Sequence, residues 1–144
     1  MNLIEIFSII MIHWIADFVF QDEKWALGKS KNWSDLLAHT ITYSLVWLFI
    51  GGCIYLQQFK PYNPESNKIM NIYWNYWIPR GLLFVLITFI CHTITDYFTS
   101  RIVSKKFKNG NYGSAIPNFG AFTIIGIDQV LHYVQLFTIY WLLK

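Results

Sequence analysis

The chain has 144 residues, of which 55% are apolar, 19% aromatic and only 13% charged. A soluble globule carries about 25% charged residues, so this composition excludes a disordered chain, a coiled coil and an ordinary soluble domain, and names lipid as the main solvent. The net charge of +3 is too small and too dispersed for a nucleic-acid binder, and Cys53 and Cys91 sit in separate apolar runs, which argues against a disulfide framework or a cysteine zinc site.

The predicted elements are four membrane-spanning helices, taken in chain order as Leu3 to Gln21, Ser34 to Leu56, Tyr76 to Ser100 and Phe119 to Leu143. Each is close to the roughly 20 residues that cross a hydrocarbon core. Helices are expected because a span in lipid must satisfy its own backbone; barrel strands of about ten strictly alternating residues are not seen. The first run is a span and not a signal peptide, since it lacks a basic start, carries Glu5 and has no small-x-small cleavage site. The expected fold is all-α: an integral membrane four-helix bundle forming a single domain over 1–144, built as two pseudo-symmetric helical hairpins. In the last span, Gly120 and Gly126 precede Asp128, and a helix start or kink is expected near Gly126.

Charge sets the orientation. The first and third loops hold Lys24, Lys29, Lys31, Arg101, Lys105, Lys106 and Lys108, against Lys60, Lys68, Arg80 and Lys144 on the other face. The positive-inside bias places loops one and three in the cytoplasm and both termini outside. Tyr73, Trp74, Tyr76 and Trp77, with Trp25 and Trp33, suit interfacial belts.

All four histidines lie inside proposed spans, and four of five aspartates stand four residues from one of them: His13–Asp17, Asp35–His39, His92–Asp96 and Asp128–His132. Residues four apart share a helix face, so each span carries one His–Asp stripe. The order alternates from span to span, which in antiparallel spans predicts a layer of aspartates near the cytoplasm and a layer of histidines about 6 Å deeper. Asp17, Asp96 and Asp128, left unpaired in lipid, would cost roughly 7–10 kcal/mol, so they must face the interior protonated, paired with histidine or bound to a cation. Asp35 lies near a span end, where an N-terminal helix residue is the competing reading.

Histidine nitrogen with carboxylate oxygen is the ligand set of divalent Zn, Mn or Fe. The candidate metal ligands are His13, Asp17, His39, His92, Asp96, Asp128 and His132, for one or two ions, with Gln21, Tyr43 and Gln129 as candidate catalytic groups. A structural His–Asp hydrogen-bond network is the alternative. Haem ligation by the histidines is disfavoured, because a haem pocket has no use for four adjacent carboxylates.

HWIADFVFQ at His13–Gln21, the His39 start of span two, HTITDYFTS at His92–Ser100 and IDQVLH at Ile127–His132 together resemble the domain of unknown function 3307 family. The resemblance implies a small multi-span protein of the bacterial cytoplasmic membrane, with its polar positions at His13, Asp17, Gln21, His39, His92, Asp96, Asp128, Gln129 and His132. Many members carry a second histidine in span two where this chain has Tyr43. The pattern is also similar to membrane proteins labelled metal-dependent hydrolases, and its H-x3-D step to that of cation-diffusion zinc transporters.

Three functions follow as expectations. The first is a metal-dependent hydrolase acting on a lipid or lipid-linked substrate from the cytoplasmic side. The second is a divalent cation or proton transporter or channel, which with four spans would work as a homodimer. The third is a non-catalytic membrane subunit with a structural polar core. Membrane lipid is the expected partner, and nucleic acid is not.

Overall fold

The structure, a computed structural model, describes residues 1–51, 78–113 and 119–144. Among them it is all-helical, with five α-helices and two π-helical turns. Helix α1, Leu3–Trp14, is started by a reciprocal cap: Glu5 N–H donates to Asn2 Oδ1 and Asn2 N–H to Glu5 Oε2, both at 2.8 Å. It continues without a break into a π turn, Ile15–Val19, closed by Phe20 N–H to the Ile15 carbonyl at 3.0 Å. A short helix α2, Glu23–Gly28, follows, capped by Asp22. Helix α3, Trp33–Val46, also ends in a π turn, Trp47–Gly51. Helix α4 is Ile78–Lys108 and α5 is Ala121–Leu143.

These elements match much of what the sequence predicts, with differences. Helix α2 falls where only a loop was expected. The helix at the third predicted span runs eight residues past Ser100, so Arg101, Lys105, Lys106 and Lys108 lie on α4 itself. The end of span two, loop two with its aromatic cluster, and Cys53 lie outside the described residues. The helix start expected near Gly126 is not found there: α5 starts at Ala121 and continues through Gly126 as one α-helix. The reason is local. Ala121 and Phe122 donate their N–H groups to the Asn111 and Tyr112 carbonyls at 3.0 and 3.2 Å, which satisfies the first donors of the helix. That approach needs glycine at 120, since a Cβ there would stand 1.5 Å from the Gly113 carbonyl oxygen.

Helix α3 packs on α4, α4 on α5, α5 on α1, and the first π turn returns to α3. Pairs Thr95–Gln135 and Thr99–Asp128 show that α4 and α5 run antiparallel. Lys144 at the end of α5 pairs with Glu5 at the start of α1, so these two ends share one face. The interior is divided. Ile9, Ile12, Ala16, Tyr43, Val46, Trp47, Leu136 and Tyr140 form an apolar core. Beside it lie His13, Asp17, His39, His92, Asp96, Asp128 and His132, all buried. Among the described residues 14 polar or charged residues are buried against 11 hydrophobic ones, while Leu82, Leu86, Ile90, Ile94 and Phe98 of α4 and Phe122, Val130, Val134 and Trp141 of α5 are exposed. A water-soluble protein has the opposite distribution. Helices α4 and α5 are each long and apolar enough to cross a membrane.

Candidate functional site

The His–Asp stripes bring their residues to one place, and the shortest contacts are made between helices rather than along them. His13 and Asp17 of the same stripe stand 3.9 Å apart. Asp17 Oδ1 instead lies 3.2 Å from His39 Nε2 and 3.5 Å from His92 Nε2. His132 Nε2 is nearer to Asp96 Oδ1 (3.2 Å) than to Asp128 Oδ1 of its own helix (3.5 Å). Carboxylates therefore meet imidazoles of neighbouring helices as well as those of their own. The π turn is part of the cause, because Asp17 lies within it and leaves the α-helical stripe begun by His13.

Among the described residues two groups of three converge closely enough to hold a metal: Asp17, His39 and His92, and His92, Asp96 and His132. In the first, His39 Nε2 and His92 Nε2 are 3.1 Å apart, and the two distances to Asp17 Oδ1 are those above. Zinc bonds of about 2.0–2.1 Å at the tetrahedral angle set ligand atoms roughly 3.3–3.4 Å apart, so the triangle fits one face of such a site. Asp17 Oδ1 is buried yet accepts no well-directed hydrogen bond among the described residues. Buried carboxylate oxygens are ordinarily hydrogen-bonded, and one aimed at two imidazole nitrogens without such a bond suits an ion. Asp96 Oδ2 stands 3.1 Å from His39 Nε2 and 3.7 Å from His92 Nε2, close to the same point.

His13 plays a different part. Tyr43 Oη donates to His13 Nδ1 at 2.9 Å, and His13 Nε2–H donates to Gln129 Oε1 at 2.9 Å. Gln129 Nε2 then donates to Asp17 Oδ2 and Asp128 Oδ2, each at 3.1 Å. Ionised carboxylates only accept, which settles both the amide orientation and the histidine tautomer. Both His13 nitrogens are thus used in hydrogen bonds. Tyr43 also stacks on the His92 ring, with centroids 3.8 Å apart. Asp128 takes the Thr99 hydroxyl at 2.6 Å.

Asp35 stays out of this assembly. It is buried at the α2–α3 connection, where Asn32 Nδ2 donates to Asp35 Oδ2 at 2.9 Å. Gln21 is half-buried just past the π turn, and its Oε1 has no hydrogen-bond partner among the described residues.

The residue the sequence reading missed is Lys29. Its side chain, 17% exposed, leaves the end of α2 and places Nζ 2.7 Å from Asp96 Oδ2. Burial opposes its charge, but the Asp96 and Asp17 carboxylates outweigh that and hold its pKa above the ordinary lysine value. In the sequence Lys29 is one of three loop lysines that signal orientation, and nothing in its spacing separates it from Lys24 and Lys31. Thr99 was missed too, although Thr88, His92, Asp96 and Thr99 share a helical stripe legible in the sequence.

Formal charge sums up the site. Three buried carboxylates, Asp17, Asp96 and Asp128, face one ammonium. Neutrality takes two further positive charges, from one divalent ion or from protons on imidazoles or on the carboxylates themselves. Neither the curated proteins nor the solved structures contain a match to this chain. The family described as "Protein of unknown function (DUF3307)" matches residues 6–144. A match over nearly the whole length, with the polar positions now gathered in one buried cluster, means that the chain belongs to the DUF3307 family.

Proposed function

We propose that this chain is a membrane-embedded His/Asp metal-site protein, a metal-dependent hydrolase whose lipid or lipid-linked substrate arrives from the cytoplasmic side. The observation that carries the metal site is the convergence of Asp17, His39 and His92 around a carboxylate oxygen without a directed hydrogen bond. Two histidines and one carboxylate leave a position for water, the pattern of catalytic zinc sites. The membrane setting is supported by the apolar exterior and polar interior. The four-helix bundle reading is supported by the packing of α1, α3, α4 and α5 around the cluster. Loops one and three are read as cytoplasmic.

The ion, when bound, supplies a water of lowered pKa as nucleophile for an ester, amide or phosphoester. The chain's own residues do the rest. Gln129 holds Asp17 through its second oxygen, so Oδ1 points at the site. Tyr43 fixes the His92 ring by stacking and the His13 ring by a hydrogen bond. Lys29 places an ammonium beside the cluster, 2.7 Å from Asp96 Oδ2.

The test is elemental analysis of protein purified in detergent, followed by turnover of labelled lipid esters and phosphoesters. Bound zinc, manganese or iron with turnover abolished by Asp17→Asn and His39→Ala supports the reading. Absence of any metal, with melting unchanged by chelators, overturns it. One observation favours transport as a second reading: the buried aspartates and histidines are the groups that line intramembrane ion routes. Cation uptake into vesicles lost in Asp17→Asn, without lipid turnover, would select it.

A further inference from the structure

Beside the Asp17–His39–His92 triangle stands a further carboxylate that is already engaged. Asp96 Oδ2 lies 3.1 Å from His39 Nε2 and 3.7 Å from His92 Nε2, the same two nitrogens that converge on Asp17. On distance alone it is a candidate to close the coordination sphere with protein ligands on every side, which is how structural zinc sites are built. Its other contacts pull it away. Lys29 Nζ sits on that same oxygen at 2.7 Å, the shortest contact it makes, and His132 Nε2 stands 3.2 Å from Oδ1.

The arm that delivers Lys29 has its own supports. Lys29 caps α2, with its N–H bonded to the Trp25 carbonyl at 2.8 Å. Gly28 lies against the Asp35 side chain, where an added Cβ would stand 2.0 Å from Asp35 Oδ2. Asn32 holds that oxygen from the other side. The buried Asp35, which does not join the cluster, is thus part of the seat on which the lysine arm rests.

We propose that Lys29 is a built-in counter-ion that holds Asp96 out of the metal's coordination sphere and so keeps the Asp17–His39–His92 site open to an exogenous ligand. This rests on the metal-site reading above. It assigns Lys29 a specificity role: an ammonium bound to the fourth carboxylate separates a three-ligand site, which accepts water or an anion, from a closed four-ligand site, which accepts neither. It also sets the stoichiometry. One divalent ion together with Lys29 neutralises Asp17, Asp96 and Asp128, so one ion is held per chain.

The experiment uses the full chain in detergent with cobalt(II) as the probe, read by visible absorption and titrated with azide. Native protein is expected to bind one cobalt and to change its spectrum when azide enters the open position. Lys29→Met releases Asp96 onto the ion: cobalt affinity rises at least tenfold and azide no longer alters the spectrum. Lys29→Arg behaves as the native chain, and adding Asp96→Asn to Lys29→Met restores the azide response. Asp96→Asn alone retains one cobalt and the azide response, which keeps the test decisive if Lys29→Met does not fold. Unchanged or weaker affinity with a persisting azide response in Lys29→Met overturns the proposal, as does loss of cobalt in Asp96→Asn or two ions per native chain. No cobalt in the native protein instead overturns the metal-site reading itself.

Discussion

Gln129 has more structural consequence than its place beside Asp128 in the sequence suggests. One amide accepts from His13 and donates to Asp17 and Asp128, joining α1 to α5. Gln129→Leu removes the donor from two buried carboxylates and the acceptor from a buried histidine. Unsatisfied buried groups cost about 1–3 kcal/mol each, more when charged, so for three such groups a loss of about 3 kcal/mol or more is expected, read as a fall in melting temperature in detergent. Tyr43→Phe keeps the ring that stacks on His92 and removes only the hydroxyl on His13. Its expected cost is about 1 kcal/mol, and a loss as large as that of Gln129→Leu would contradict the relay as described.

At the scale of the element, the first π turn and the α2–α3 connection do what regular helices would not. The π turn carries Asp17 toward α3 and α4, where its oxygen meets His39 and His92. Such turns recur at functional sites because they re-aim side chains within an otherwise continuous helix. The connection depends on Gly28. Gly28→Ala forces its new methyl into Asp35, with an expected cost of about 1–3 kcal/mol. The displaced arm would also withdraw Lys29 from Asp96. Gly28→Ala is therefore expected to reproduce the azide insensitivity of Lys29→Met, and pairing it with Asp35→Ala to recover part of the stability.

For the whole molecule, an ion held by the polar interior would couple binding to stability. A ligand that binds only the folded state at a hundred times its Kd stabilises by about 2.7 kcal/mol. Zinc is therefore expected to raise the melting temperature of the native chain and a chelator to lower it. Asp17→Asn should abolish that response, and Asp35→Asn, outside the cluster, should leave it intact. A response equal in both variants would disconnect the cluster from the metal.

The sequence by itself determined the helical class, the approximate extents of α4 and α5 as apolar runs, and the burial of seven His and Asp residues. Those follow from hydropathy and from the four-residue spacing, which depend only on local helix geometry and on the cost of a charge in lipid. Only the tertiary structure decided who pairs with whom. Four-residue spacing predicts contact along a helix, whereas His39, His92 and His132 turn to carboxylates of neighbouring helices, because helix packing sets those shorter distances. The separation of Asp35 from the site, the hydrogen-bonding role of His13 and the arrival of Lys29 are of the same kind. Each depends on a π turn, a glycine approach or a loop conformation that is fixed by contacts far away in the chain, and so leaves no period in the sequence to read.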